Sequence, residues 1–327
     1  MALNSPQYLQ QINAETFTSI ALELFQMQYQ GNVIYRDFVN ALKIDVSEVK
    51  QITDIPFLPI SFFKTHRVVT GIVDNPSLIF ESSRTTGDAP SRHFVADEKV
   101  YEISLLDGFK QFYGDPSEYT ILALLPSYLE RKNASLVHMA KVLMRESKHE
   151  ANGFYLNEWD KLRDTIQRLE AAGQKTLLLG VTFALLDFAA DHSMELKHTI
   201  VMETGGMKGR REEWTRQQVH DFLKQQWQLN GVHSEYGMTE LLSQAYALAD
   251  GVFQPTHTFK ALIRDINDPL DVRQSGSGCL NIIDLANIHS CSFIATEDVG
   301  KLSADGSFEV LGRMDHAALR GCSLMAV

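Results

Sequence analysis

Hydrophobic positions follow two different spacings along the first two thirds of the chain. Apolar residues three and four positions apart predict helices over residues 7–29, 35–50, 98–112, 134–146, 181–191 and 212–229, and over a stretch that begins near Asn157 and ends at Gly173. Short continuous apolar runs predict buried strands at 78–80, 119–125, 175–180 and 199–202. Strands that alternate with helices indicate βαβ units and a mostly parallel sheet. Ligands of such sheets bind at the carboxyl ends of the strands.

The pattern changes at about residue 255. Short apolar runs at 259–263, 278–284, 292–295 and 307–311 are separated by Asp, Gly, Asn and Ser residues. This predicts an antiparallel β portion with hairpins that meet at Asp305-Gly306. We therefore expect an α/β region over residues 1–254 and a β-rich region over residues 255–327 that completes the same large domain.

Composition and charge narrow the class of partner. The chain has 327 residues and a net charge of −11, which argues against nucleic acid or an anionic membrane surface as its main partner. No apolar run approaches the ~20 residues that span a bilayer. The N-terminus lacks a basic segment followed by an apolar one, so we expect no signal peptide. The three cysteines form no CxxC pair and cannot all be bridged, which favours a reducing compartment, the cytoplasm.

A polar loop follows the strand predicted at 78–80. Residues 81–92 contain serines, threonines, Gly87 and Arg92, and exposed N–H and hydroxyl groups of this kind can surround a phosphate. A solvated turn explains the same composition equally well. The loop is not a Walker motif, because G-x-x-x-x-G-K-[ST] occurs nowhere in the chain.

Two further segments follow predicted strands. Residues 203–211 contain paired glycines and then three cations, which suits either a ligand lying against the backbone or an ordinary turn before a helix. Residues 231–240 predict a strand, a turn and a helix start, in which Tyr236 could stack on a base. Glu235 and Glu240 are possible Mg²⁺ ligands, since one carboxylate beside nucleotide phosphates is typical for that ion. Taken by itself, a glutamate at this position is more often a carboxylate at a helix N-terminus, where it interacts favourably with the helix dipole.

Taken in order, these segments resemble the motif series of the adenylate-forming superfamily, which includes acyl-CoA synthetases and luciferases. The motifs are Ser82-Ser-Arg-Thr-Thr-Gly87, Glu203-Thr-Gly-Gly206, Glu235-Tyr-Gly-Met-Thr-Glu240, Glu297-Asp298 with Gly300, and Gly312-Arg313 with Asp315. More narrowly, residues 55–64, 202–210 and 320–324 are similar to LuxE, the acyl-protein synthetase family of bacterial bioluminescence. The resemblance covers nearly all of the chain from about residue 10.

The resemblance implies a fold and a reaction. The fold is the large N-terminal α/β domain, with mostly parallel sheets and a C-terminal antiparallel β portion, but without the family's small mobile lid domain. Residues 1–254 would then carry the nucleotide and acyl sites. The reaction is the ATP-dependent activation of a carboxylic acid, in the narrower family a fatty acid, to an acyl-adenylate. The acyl group then passes to a thiol, which would be Cys322, CoA or a carrier protein.

The resemblance also implies roles for individual residues. The residues that would hold the phosphates of ATP are Ser82, Ser83, Thr85, Thr86 and Gly87. Those that would surround the adenine are Gly205, Gly206, Tyr236 and Gly237. The remaining assignments are Thr239 to a phosphate oxygen, Glu240 to Mg²⁺, Asp298 to the ribose hydroxyls, Arg313 to ribose or phosphate, and Cys322 to the acyl group. Cys322 is equally explained as an inert small hydrophobic residue.

Three departures from the family pattern keep other functions open. Arg84 stands where the phosphate loop usually has glycine, and Arg92 takes the place of the usual lysine after that loop. Only about a dozen residues follow Arg313, so the lid and its catalytic lysine are not expected in this chain. Either a partner subunit completes the site, or the enzyme is slow, or it only binds. The resemblance implies a lid-supplying subunit or an acyl reductase as such a partner. The alternatives are a non-catalytic nucleotide- or acyl-binding subunit and an acyl-CoA ligase that acts alone.

Overall fold

The computed structural model describes residues 6–82, 89–126, 133–205 and 214–314. Its α-helices are α1 (Phe17–Gly31), α2 (Val33–Ala41), α3 (Phe62–Thr65), α4 (Glu98–Tyr113), α5 (Ser135–Ser147), α6 (Trp159–Ala171), α7 (Thr182–Asp191) and α8 (Arg216–Trp227). Short 3₁₀ turns occur at Pro6–Gln11, Val46–Glu48 and Pro116–Glu118. None of the helices in these described segments has the length and hydrophobicity that a bilayer crossing requires.

The strands fall into one large sheet and one separate hairpin. They are β1 (Leu58–Pro59), β2 (Leu78–Glu81), β3 (Arg92–Val95), β4 (Thr120–Leu124), β5 (Gly153–Tyr155), β6 (Thr176–Gly180), β7 (Thr199–Glu203), β8 (His233–Tyr236), β9 (Ala245–Ala247), β10 (Val252–Pro255), β11 (Phe259–Arg264), β12 (Val272–Arg273), β13 (Gly276–Asp284), β14 (Phe293–Leu302) and β15 (Phe308–Arg313). Strands β2 and β3 pair only with each other.

The parallel half of the sheet has the strand order β5-β4-β6-β7-β8. Every residue of β4 and β6 is buried, as expected for strands that are covered on both faces. Helices α4 and α5 pack together, as do α7 and α8. Helix α8 begins with a capping box, in which Thr215 and Gln218 satisfy each other's backbone N–H groups. The predicted βαβ organisation is confirmed.

The antiparallel half continues the same sheet from β8 without a break. Strand β9 pairs antiparallel with β8, and the order then runs β10-β15-β14-β13-β11-β12. The predicted turn at Asp305-Gly306 joins β14 to β15, and Gly306 adopts the positive φ of +87° that glycine tolerates best. The boundary proposed at residue 254 falls inside β10 (Val252–Pro255), within this continuous sheet.

The N-terminal helices are fastened to the antiparallel half by buried polar contacts. Gln28 on α1 is fully buried, and its amide donates to the carbonyl oxygens of Asn287 and Ile288 and accepts from the N–H of Ser292. Asn32 caps α2 and donates to the carbonyl oxygen of Ser290. These bonds hold the loop between β13 and β14 in place beneath the site.

Several predicted elements differ from the structure. The helix predicted over 7–29 is divided into a 3₁₀ turn and α1, and the helix over 35–50 ends at Ala41. The helix predicted to start near Glu240 is wrong, because a turn there leads directly into β9. Short strands β1, β3, β5, β9, β10 and β12 were not predicted. Local pattern does not reveal these strands, because they are too short to produce a clear period or pair with strands that are distant in sequence.

Candidate active site

A cleft of about 670 Å³ opens where β7 and β8 end. Of the residues assigned by resemblance, the cleft is lined by Ser82, Gly205, Tyr236, Gly237, Thr239, Glu240, Asp298 and Arg313. They come from all five motifs of the resemblance. Ser83, Thr85, Thr86, Gly87, Gly206 and Cys322 lie outside the described residues, as does Arg84. Arg92 is exposed at the start of β3 and is not among the lining residues.

Asp298 joins the two halves of the sheet inside the cleft. The Tyr236 hydroxyl on β8 donates to Asp298 Oδ2 at 2.9 Å, and Arg313 Nε donates to Asp298 Oδ1 at 3.1 Å. The register of β14 and β15 places Asp298 directly opposite Arg313. Burial lowers the pKa of Arg313, but the Asp298 carboxylate outweighs burial and raises it. Each Asp298 oxygen keeps a lone pair for a further donor.

The ring of Tyr236 packs within an aromatic cluster. Its neighbours are Phe253, Phe259 and Phe308, with ring centroids 5.3 to 6.2 Å apart. Burial and the charge of Asp298 raise the pKa of Tyr236 well above its ordinary value, so the hydroxyl stays a donor. The ring is therefore held in one orientation at the wall of the cleft.

Glu240 is buried, with 5% of its surface exposed, and does not occupy the solvent-facing helix start that its sequence position suggested. Burial raises the pKa of Glu240, while the Ser91 hydroxyl, Arg313 and Lys64 act in the opposite direction. The Asn287 amide donates to the backbone oxygen of Glu240 at 2.7 Å. Ser91 thus bonds to the carboxyl group, and Asn287 holds the backbone of the same residue.

His93 and Asp284 fix the backbone on either side of Glu240. Burial lowers the pKa of His93 to about 4, so its imidazole is neutral, and Nδ1 must carry the proton to donate to the Thr239 carbonyl at 3.0 Å. Asp284 is fully buried and accepts from the N–H groups of Leu242 and Ser243 and from the Ser243 hydroxyl. Burial raises the pKa of Asp284, and these hydrogen bonds oppose the rise.

Glu203, the last residue of β7, is the centre of a second buried network. Its carboxylate accepts from the Thr182 and Ser234 hydroxyls at 3.0 and 2.8 Å and from the N–H of Gly205 at 2.7 Å. Arg216 lies 3.5 Å away. Burial opposes ionisation, but His220, Arg216 and these hydrogen bonds outweigh it and lower the pKa of Glu203 to about 2. His220 Nε2 is 3.7 Å from the carboxylate, so we treat its contribution as electrostatic rather than as a hydrogen bond.

Glu235 differs from Glu203 in that no hydrogen bond or cation from the described residues opposes the effect of burial on its pKa. Burial and the nearby charge of Glu203 raise the pKa of Glu235 to about 8. Gly237 leaves room for this side chain, since a Cβ there would lie 2.3 Å from Glu235 Oε1. Two carboxyl groups of the same cleft therefore differ in protonation near neutral pH.

Sequence reasoning missed two cations of the cleft. Lys64, Arg216 and Arg313 are the cationic side chains that line it within the described part of the chain. Lys64 ends the stretch 55–64 that carried the narrower resemblance, and β1 in that stretch pairs with β14 beside Asp298. Arg216 packs over the Phe253 ring and donates to the Val310 carbonyl. Only this long-range pairing could have indicated that Lys64 belongs to the site.

A magnesium ion fits one part of this site. No cluster of three His, Cys, Asp or Glu side chains that could hold a metal occurs among the described residues. Glu240 supplies a single buried carboxylate at the cleft wall, and Mg²⁺ in nucleotide sites is commonly bound by one or two carboxylates together with phosphate oxygens. Glu240 is therefore suited to an ion that arrives with a nucleotide.

Cys279 and Cys291 are buried, and neither lines the cleft. Burial raises the pKa of both thiols, that of Cys291 to about 12. Their surroundings are those of inert structural cysteines.

Comparison with known proteins agrees with this arrangement. The structure is similar to 2-hydroxyisobutyryl-CoA ligase in its postadenylation state with 2-HIB-AMP, with a TM-score of 0.67 and 12% identity, covering 91% of this chain and 67% of that one. It is also similar to ATP-bound MatB from Rhodopseudomonas palustris, with a TM-score of 0.54 and 15% identity, covering 75% of this chain and 49% of that one. The chain has the adenylate-forming fold. The predicted fold class is therefore confirmed.

The N-terminal part of the chain is also similar in sequence to one narrower protein family. Residues 7–113 match the family model described as "Acyl-protein synthetase, LuxE", which agrees with the resemblance drawn from the sequence. No protein of curated function matches the chain. The chain spans about half the length of the MatB chain and about two thirds of the hydroxyisobutyryl-CoA ligase chain.

Proposed function

We propose that this protein uses ATP to activate a carboxylic acid and then passes the acyl group to a thiol. In the first step a carboxylate oxygen attacks the α-phosphorus, the bond to the bridging oxygen breaks, and pyrophosphate leaves. In the second step the thiol sulfur attacks the acyl carbon, AMP leaves, and the thiol proton is released. The observation that carries the proposal is the Tyr236–Asp298–Arg313 arrangement in one cleft with Glu240. The adenylate-forming fold and the LuxE match support it.

The nucleoside would lie between β8 and the β14–β15 hairpin. Asp298 has free lone pairs for the ribose hydroxyls, and Arg313 beside it can contact ribose or phosphate. Gly205 has a φ of +73° and open space beside its Cα, so the backbone at the end of β7 can approach a flat base closely. Tyr236, held by its hydroxyl, would form the other wall of the adenine site with Gly237, and Gly206 would continue the β7 side.

The triphosphate would extend toward Thr239 and Ser82. Ser83, Thr85, Thr86 and Gly87 would complete its cradle. Glu240 would hold Mg²⁺ together with phosphate oxygens, and the ion would neutralise charge on the departing pyrophosphate. Lys64 and Arg313 would add positive charge at the wall of the cleft. Fixed charges of this kind stabilise the transition state of phosphoryl chemistry.

The acceptor thiol is Cys322, CoA or a carrier protein. Cys279 and Cys291 are unsuitable because they are buried and lie away from the cleft lining. We infer a reducing, cytoplasmic setting from these two free thiols.

A lid-supplying subunit or an acyl reductase would act on the second step. We propose that residues 1–254 carry most of the nucleotide and acyl contacts and that residues 255–327 supply Asp298 and Arg313.

The test is acid-dependent exchange of labelled pyrophosphate into ATP, followed by detection of acyl groups on the protein. We expect exchange with at least one class of acid, and acyl label on wild type but not on Cys322→Ser if Cys322 is the acceptor. If acyl label instead appears on CoA with both wild type and Cys322→Ser, CoA is the acceptor. ATP binding without exchange for any acid would contradict the proposal and favour a nucleotide-binding subunit.

A further inference from the structure

Part of the cleft wall is built from polar groups that the nucleotide assignment does not use. Successive residues of a strand point to opposite faces, so Glu235 faces away from the side of β8 on which Tyr236 meets Asp298. Glu235 nevertheless lines the cleft, together with Gln244. The cleft therefore has a second compartment on the Glu235 side of β8, and the inference drawn from it rests on the proposed function.

Glu235 and Gln244 meet beside Gly237. A Cβ at Gly237 would lie 2.3 Å from Glu235 Oε1 and 3.7 Å from Gln244 Cγ. The carboxyl group of Glu235 receives no hydrogen bond and no cation from any residue in the described ranges, although its surroundings exclude most solvent. Gln244 is only 3% exposed, and its Oε1 has no hydrogen-bond partner within the same ranges. Buried polar atoms without partners are rare, so Gln244 Oε1, beside the cleft-lining carboxyl group of Glu235, indicates a ligand that completes this wall.

None of the nearby tyrosines donates a hydrogen bond to the Glu235 carboxyl group. Tyr101, Tyr113 and Tyr246 are close enough for its charge to raise the pKa of each hydroxyl. The Tyr113 hydroxyl pairs with His233 Nδ1, and the Tyr246 hydroxyl is itself buried without a partner among the described residues. Among the described residues, this compartment thus holds a cluster of acceptors and weak donors, and no cation acts on Glu235.

The charge balance of the compartment favours a cation. Glu203 lies nearby, and Arg216 and His220 are arranged around Glu203 rather than Glu235. A cation placed beside Glu235 would gain attraction from both carboxyl groups in a site of low polarity, where such interactions are strongest. The apolar and aromatic residues Leu136, Met139 and Tyr101 also line the cleft.

We propose that the acid activated here carries an ammonium group, and that Glu235 and Gln244 bind that group. The substrate class is then an amino acid rather than an unsubstituted fatty acid. The ammonium donates to the Glu235 carboxylate and to Gln244 Oε1, while the substrate carboxylate faces the α-phosphate. An ammonium has three donors and no acceptor, which matches the unpaired Gln244 Oε1 and the cleft-lining Glu235 carboxylate. Glu235 is thus a specificity residue that touches substrate.

In the competing explanation, Glu235 and Gln244 bond to each other rather than to a ligand. A protonated Glu235 could donate to Gln244 Oε1 after a small rotation, and no ligand would then be needed. Under that explanation the preference for one acid over another does not depend on the charge of residue 235. The two explanations therefore differ in what Glu235→Gln does to substrate choice.

The experiment compares the standard amino acids and ω-amino acids with straight-chain fatty acids and hydroxy acids. Pyrophosphate exchange gives kcat/KM for each acid, and calorimetry gives its Kd for the protein with AMP. We expect the best amine-bearing acid to exceed its unsubstituted and hydroxy counterparts by roughly tenfold or more, as a charge-assisted hydrogen bond requires. Glu235→Gln should remove this preference while leaving the Kd for ATP unchanged. Glu195→Gln, an exposed carboxylate paired with Lys197, is the matched control.

Each outcome is decisive. Equal or faster exchange with unsubstituted or hydroxy acids, or a preference that survives Glu235→Gln in a protein with a normal melting temperature, overturns the inference but leaves the proposed function standing. Amine-dependent binding that Glu235→Gln abolishes, without exchange for any acid, supports the inference and contradicts the proposed function. Absence of both exchange and binding overturns both. If Glu235→Gln does not fold, Glu235→Leu is expected to shift the preference toward the unsubstituted acid, and failure to do so overturns the inference.

Discussion

The hydroxyl of Tyr236 donates to Asp298 Oδ2 at 2.9 Å, although the two residues are 62 positions apart in the chain. This bond joins the last parallel strand of the sheet to the antiparallel hairpin. It also places a ring that could face a base next to a carboxylate that could bind ribose. The two halves of the proposed nucleotide site therefore depend on one contact.

Removal of the Tyr236 hydroxyl tests that dependence. We expect Tyr236→Phe to lower stability by about 1 kcal/mol, the usual net value of a hydrogen bond, and to weaken ATP binding because Asp298 loses its fixed orientation. Calorimetric titration with ATP and a denaturant melt measure both effects. Tyr29→Phe, which loses an exposed bond to Asn40, is the control and should leave ATP binding unchanged. Unchanged ATP affinity in Tyr236→Phe would show that the contact is only structural.

Replacement of Glu240 tests the metal assignment. Glu240→Gln keeps the shape and can still bond to Ser91, so we expect a small change in melting temperature. Loss of the carboxylate charge should reduce Mg²⁺-dependent exchange by roughly a hundredfold, the scale of losing one electrostatic group in an active site. Exchange rates at increasing Mg²⁺ concentrations provide the measurement. A large loss of melting temperature with normal specific activity would assign Glu240 a structural role.

Glu203 should stabilise the protein in a pH-dependent way. Its pKa in the folded protein is about 2, against an ordinary value of 4.5. The folded state therefore favours the ionised form, and this stabilisation is present above about pH 4.5 and is lost as the pH falls toward 2. At neutral pH we expect Glu203→Gln to lower the free energy of unfolding by about 3 kcal/mol. Urea titrations at several pH values measure it, and a difference that stays constant down to the lowest pH would contradict the assignment.

The contribution of Glu235 to stability should depend on pH in the opposite direction. Its folded-state pKa is about 8 against an ordinary 4.5, because of burial and Glu203, with Tyr101, Tyr113 and Tyr246 around it. The folded state then binds a proton that the unfolded state has released, so stability falls as the pH rises from about 4.5 to 8. Without ligand, we expect Glu235→Gln to be more stable than wild type near pH 8 and equal to it near pH 4. A variant that is less stable than wild type above about pH 4.5, with a difference that shrinks at lower pH, would show that Glu235 is ionised and satisfied by a partner.

The parallel half of the fold could be predicted from local pattern, whereas the surroundings of the site could not. Strands β4, β6 and β7 are continuous apolar runs, and the resemblance motifs identify Gly205 after β7, Tyr236 on β8 and Asp298 on β14. The burial of Glu240 was not predictable from these signals. It depends on Asn287, 47 positions away, and on an antiparallel strand where the local sequence suggested a helix.

Long-range pairing also accounts for the residues that sequence reasoning overlooked. Lys64 reaches the cleft because β1 joins β14, a contact between residues more than two hundred positions apart. Glu203 was identified only as the start of a glycine turn. Its importance follows from Thr182, Ser234 and Arg216, which the topology of the sheet brings to the end of β7. Composition and spacing carry no information about such partners.

The central claim is that ATP is bound and cleaved where Asp298 meets Tyr236 and Arg313. The most direct measurement is pyrophosphate exchange by wild type, Asp298→Asn and Glu195→Gln under identical conditions, with an acid that supports exchange. The account predicts that Asp298→Asn raises the KM for ATP by roughly tenfold or more, because it loses a charged acceptor, while Glu195→Gln matches wild type. An Asp298→Asn protein that exchanges pyrophosphate with an unchanged KM for ATP would contradict it.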